Sequence, residues 1–237
     1  MKKSEIAKGL DVKANSFFIA ASVSLAVNSI LSSLNRAFTM GEAVETILAF
    51  VVVLFGIFSY FATIKGFVFV DKNCRISEKN EHFYMGRNLT VFSVLCILFT
   101  VVLSIVALVF SVFLAEYNKA DGLTASDVQA RNNVLIIIAI VNILMQLFAI
   151  SSPFIFYLWK LFKFSQQNKL VSNIALFTMI VMLVHLVIGI LNSVYSVRGS
   201  ENSFLPDFSS ILNSVKYVML LVFFFMRKNS LAAIEAE

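Results

Sequence analysis

The sequence predicts an all-α, polytopic membrane protein: six transmembrane helices in one bundle, with both termini cytoplasmic. Three observations carry that prediction. Six long apolar stretches fill most of the 237 residues. Hydrophobic residues make up 59% and charged residues 14% of the chain, with a mean hydropathy of +0.87; a soluble domain carries about 25% charged residues. Lysine and arginine gather on alternate connectors, the pattern expected when cytoplasmic loops retain positive charge.

A hydrocarbon core about 30 Å thick is crossed by about 20 apolar helical residues. The stretches that meet this are 16–34, 45–70, 89–115, 134–159, 173–197 and 208–226. The connectors between them are too short to fold a core, so residues 1–237 form a single domain. Lys2, Lys3, Lys8 and Lys13 precede the first stretch as in a secretory signal. The apolar run from Phe17 is too long for one and ends in no small-x-small cleavage site, so it reads as a retained span. Its face of Ser22, Ala26, Ser29 and Ser33, flanked by Ser24 and Asn28, lets a neighbouring helix approach closely.

Spans two to four each run about 26 residues, or about 39 Å at helical rise, and must tilt or protrude. Span four carries Asn142 and Gln146 one turn apart, then Ser151-Ser152-Pro153. The proline frees a carbonyl near Ala149 and kinks the helix there. Thr178, His185, Gly189, Asn192 and Ser196 share one face of span five. That face must point inward, because lipid cannot satisfy an imidazole or a carboxamide. Span six is the shortest and contains Lys216.

The even-numbered spans end alike, in aromatic runs before basic residues: Gly66-Phe67-Val68-Phe69, Pro153 to Tyr157, and Phe223-Phe224-Phe225. A triplicated hairpin would produce this, and so would chance in a chain with 25 Phe.

Orientation follows from charge. Fourteen Lys and Arg fall on the N-terminus, the second connector with its flanking Lys65, the fourth connector and the tail, against Arg36, Lys119, Arg131 and Arg198 on the other connectors. Acidic residues divide evenly, and they contribute little to the rule. Both termini are therefore assigned to the cytoplasm, and the Met-Lys-Lys start suits a bacterial cytoplasmic membrane. Tyr157 and Trp159 beside Lys160, with Tyr117 and Tyr195 at the outer ends, match the depth that amphipathic rings prefer.

Polar groups inside the membrane are where function is sought first, because each is costly there. Lys216 lies about 10 Å below the outer boundary at helical rise. It has three readings. It snorkels outward beside Asn213; it pairs with Glu45 or with an acid from another subunit or lipid; or it lines a path for an anionic or proton-coupled solute. Asn28, Asn142, Gln146, His185 and Lys216 all lie near mid-bilayer on different spans, with Glu45 the nearest acid in the chain. If their faces converge they form a binding pocket, or else the interhelical hydrogen bonds of an ordinary bundle.

Several function classes are disfavoured. The pI of 9.2 is accounted for by loops lying on anionic lipid, so no nucleic-acid partner is expected. Cys74 and Cys96 lack CxxC spacing and read as reduced structural thiols. His82 and His185 are the only histidines, too few for a histidine-built metal or haem site, so no metal or other cofactor is expected. No HExxH, GxSxG, P-loop or buried carboxylate pair occurs, so the chain is not expected to be an enzyme.

The leading expectation is a non-enzymatic membrane subunit that packs with partner membrane proteins or with copies of itself. It rests on a Lys216 with no evident partner in its own chain, on the small-residue face of span one and on the lack of catalytic groups. The connectors 71–88 and 116–133 and the tail 227–237 are its natural docking surfaces. The alternative is a transporter or conduit for a small or lipid-like solute, using the mid-membrane polar cluster. Spans that read as continuous, with few glycines and one proline inside them, weigh against it.

Overall fold

A computed structural model describes the backbone of residues 3–37, 42–76, 85–119, 124–164, 169–197 and 204–236. His82 lies outside these residues, as do the central part of connector 71–88 and residues 120–123 of connector 116–133. The side chains of the tail beyond 230 are likewise outside the description. The described residues form seven helices: α1 (Lys3–Ala37), α2 (Glu42–Ile76), α3 (Met85–Lys119), α4 (Ala125–Leu147), α5 (Ser151–Phe164), α6 (Lys169–Val197) and α7 (Phe204–Ala236). They give six segments long and apolar enough to cross a membrane, with α4 and α5 together making the fourth. The helices run well past the predicted apolar limits, because their polar ends continue the same hydrogen-bond ladder.

The segments pack in chain order and the ring closes. Each contacts its successor, and α7 returns to α1. α1 is gripped from both sides: Ala14, Phe18, Ala21 and Leu25 are buried along one stripe at spacings of four, three and four. α2 and α3 lie furthest out. They present Phe50, Ile57, Phe61, Leu98, Ile105 and Leu108 at half or more exposure, an apolar outer surface of a kind that monomeric soluble proteins rarely expose. Such an apolar exterior on six long helices is consistent with a multi-pass membrane protein.

The core is aromatic. The ring of Phe18 is surrounded by Phe67 at 4.9 Å, Phe154 at 5.4 Å, Tyr157 at 5.2 Å and Phe224 at 4.9 Å between centroids. These rings come from the aromatic ends of the three even-numbered spans, so the echo in sequence has a packing use whether or not it is a repeat. Each such pair contributes about 0.5–1.5 kcal/mol beyond simple contact. Gly66 makes the arrangement possible, since a Cβ there would lie 2.3 Å from a Phe18 ring carbon.

Span four departs from the kinked helix expected. It breaks into two helices at Phe148–Ile150, and the break is braced. Ser152 Oγ donates to Leu147 O at 2.6 Å, Ser152 N to Ala149 O at 2.9 Å, and Thr100 Oγ1 of α3 to Phe148 O at 3.3 Å. The Phe148 ring stacks on Phe99 at 4.6 Å. Pro153 explains the position: it has no N–H to offer Ala149 O, and its ring crowds that carbonyl.

Candidate functional site

A cavity of about 450 Å³ opens between α1, α4, α6 and α7. Its size falls within the range of roughly 300–1,000 Å³ typical of small-molecule sites. Four elements build its wall. α1 contributes Ser29, Ser32 and Ser33; α4 contributes Asn142, Met145 and Gln146. α6 supplies His185, Gly189, Asn192 and Ser193, and the first half of α7 supplies Pro206 to Tyr217. Ala149, in the break between α4 and α5, lines it as well. The interruption of span four thus lies in the cavity wall, where unwound backbone can be tolerated.

Lys216 lies at the inner end, 3% exposed, with His185 facing it at 5% exposure. Lys216 Nζ is 3.0 Å from His185 Nδ1. An ammonium has only donors, so with Lys216 charged His185 accepts at Nδ1 and keeps its proton on Nε2. The ammonium also lies 4.6 Å from the centre of the Tyr217 ring. The described lining residues include no carboxylate and no second cation.

Between Lys216 and the mouth, hydroxyls and an amide join α1 to α7. Asn213 Nδ2 donates to Ser29 Oγ at 2.7 Å; Ser29 and Ser214 hydroxyls meet at 3.0 Å, and those of Ser33 and Ser210 at 2.8 Å. The serine face of α1, expected to serve close packing, therefore both packs and lines. Across the cavity, Gly189 leaves the space that Gln146 occupies, since a Cβ there would lie 3.0 Å from the Gln146 carboxamide carbon. Asn142, Gln146 and Asn192 line the cavity, and their carboxamides bond to no other group among the described residues.

Of the residues singled out in the sequence, Asn142, Gln146, His185 and Lys216 come together in one wall. Asn28 does not join them: its Nδ2 donates to Val52 O of α2 at 3.1 Å, making it an α1–α2 tie. Glu45 is exposed in the first turns of α2, and neither lines the cavity nor pairs with Lys216. Among the described residues the hydrogen-bond partner of Lys216 is His185.

No protein-family model, curated protein or solved structure matches the chain.

Beyond Lys216 the interior is sealed. Leu25, Ala26, Ile150 and Tyr217 form a small buried layer, and the Phe18 cluster lies past it. Further along the same direction Arg227 donates to both carboxylate oxygens of Asp11, at 2.8 and 3.0 Å, and to Tyr157 Oη at 2.9 Å. Asn15 Nδ2 adds a bond to Phe224 O at 2.7 Å. Sequence reading missed this group. It counted Arg227 with the tail, set Tyr157 at an interface and did not single out Asp11; nothing in the spacing of Asp11 and Arg227 marks a contact across 216 positions. α1 and α7 therefore meet in layers: hydroxyls around the cavity, then an apolar floor, then aromatic rings, then a charged clasp.

Proposed function

We propose that this chain is a multi-pass membrane carrier whose solute binds in the cavity between α1, α4, α6 and α7. The observation that carries the reading is the cavity itself: polar, blind, and touching His185 and Lys216. The broken helix in its wall supports it further, since discontinuous spans are the usual means of presenting backbone to a solute at mid-membrane. The apolar floor is backed by a layer of aromatic rings, which favours a site exposed to one side at a time over an open pore. In this reading both chain ends are cytoplasmic and the cavity, bordered by Pro206, opens to the outer face, an orientation that the distribution of Lys and Arg supports. The subunit reading stands as the alternative, since the neighbour of Lys216 on α6 is an imidazole that supplies no counter-charge.

Thiol labelling tests this in a chain with Cys74 and Cys96 replaced by alanine, using a membrane-impermeant maleimide that needs water to form the reactive thiolate. Asn192→Cys and Asp127→Cys label in intact cells, Arg75→Cys labels only after permeabilisation, and lipid-facing Leu98→Cys does not label. Gln146→Cys labels from outside and also in everted vesicles, as alternating exposure demands. An unreactive Asn192→Cys would mean a dry interior and end the proposal. Labelling of Gln146→Cys from one face alone would remove transport and leave a binding site.

A further inference from the structure

The cavity contains one basic side chain, Lys216, and its described wall holds no acidic group to balance that side chain when charged. We propose that its ligand is a small hydroxylated monocarboxylate whose carboxylate docks on Lys216 Nζ; this rests on the solute-site reading above and names the class of solute.

The argument begins with charge. Lys216 is 3% exposed, and its neighbour is an imidazole 3.0 Å away, which orients the ammonium without neutralising it. A buried charge left without a counter-charge costs several kcal/mol. The described lining supplies no Asp or Glu, and Glu45 lies elsewhere. Whatever fills the cavity is thus favoured if it carries one negative charge. A phosphate dianion is a poorer match, since it calls for a second cation or for the paired donors of an arginine.

Shape and hydrogen bonding narrow the class. The carboxamides of Asn142, Gln146 and Asn192 border the space and bond to no other group among the described residues. Each offers two N–H donors and a carbonyl acceptor. A hydroxyl gives and takes a hydrogen bond at once, so a polyhydroxy ligand satisfies such walls and an aliphatic acid does not. At about 30 Å³ per water, a cavity of about 450 Å³ has room for on the order of 15 waters, enough for a sugar-acid-sized solute.

Calorimetric titration of the full-length protein in detergent tests the proposal with gluconate, glucose and inorganic phosphate as probes. Gluconate binds saturably; glucose, of similar size but neutral, binds much more weakly; phosphate gives no saturable heat. Lys216→Met weakens gluconate by about thirtyfold or more, as removal of one member of a buried charge pair does. Lys216→Arg retains most of the affinity, and exposed Lys65→Met has no effect. Lys216→Met also loses the rise in thermal midpoint that gluconate gives the natural chain, which separates lost binding from lost folding.

Equal binding of glucose and gluconate, or unchanged gluconate affinity in a folded Lys216→Met, overturns the assignment while leaving a solute site in place. Absence of saturable gluconate binding overturns it too. Labelling of Asn192→Cys then shows whether the cavity reading stands without it.

Discussion

At the residue scale, the glycines divide into those the fold needs and those it does not. Gly66 is occupied from across the interface by the Phe18 ring, and a Cβ on Gly86 would lie 2.3 Å from the Asp71 backbone. Gly9 has nothing within 4 Å. Overpacking costs about 1–3 kcal/mol, so Gly66→Ala lowers the unfolding midpoint in detergent by that order. Gly86→Ala is at least as damaging, because it meets backbone that cannot rotate away. Gly9→Ala is neutral or gains up to about 1 kcal/mol of helix propensity. Equal midpoints for Gly9→Ala and Gly66→Ala would mean the Phe18 cluster is looser than described. Sequence alone could not separate these residues. Among the described glycines the tightest approaches are at Gly66 and Gly86, and neither stands out in the sequence.

At the element scale, the instructive case is span four. Pro153 signalled a disturbance, and its place near Ala149 was legible from the rule that proline frees the carbonyl one turn back. That the helix would break, and that the break would border a cavity, was not legible. It depends on Thr100 and Phe99 arriving from α3 to hold Phe148. Interhelical hydrogen bonds inside membranes are worth about 0.6 kcal/mol on average and up to about 1.7. Thr100→Val should therefore cost about 0.6 kcal/mol, and Ser152→Ala a comparable amount, in a denaturant titration of the detergent-solubilised protein. If neither moves the midpoint, the break is held by packing alone.

Span five shows the reverse. Its polar stripe was read from spacing, and His185, Gly189 and Asn192 do line one space. A period of 3.6 residues fixes which side chains share a face, whatever the rest of the chain does.

At the scale of the whole molecule, α1 and α7 make the closure that turns a row of helices into a ring. At one end they are joined by hydroxyls around the cavity, and at the other by Arg227, Asp11 and Tyr157. The clasp is largely shielded, with side-chain exposures of 13% and 19% for Arg227 and Asp11. Hydrogen bonds to charged groups of this kind contribute about 1.5–3 kcal/mol. Arg227→Met and Asp11→Asn each destabilise by that order, and the double variant costs less than their sum. A double-mutant cycle with no coupling would dismiss the clasp as a structural tie.

What the sequence by itself determined is the class of molecule: helical, with six long apolar segments, and with polar faces whose members follow from helical period. Those properties are local, set by the composition and spacing of each segment, and they hold before any two helices touch. Only the tertiary structure decided which faces meet. It placed His185 against Lys216, drew Asn28 away to Val52, left Glu45 outside, and brought Arg227 to Asp11. The reason is that a helix specifies the direction of its side chains about its own axis, while partners and depth are chosen by how six such axes pack together.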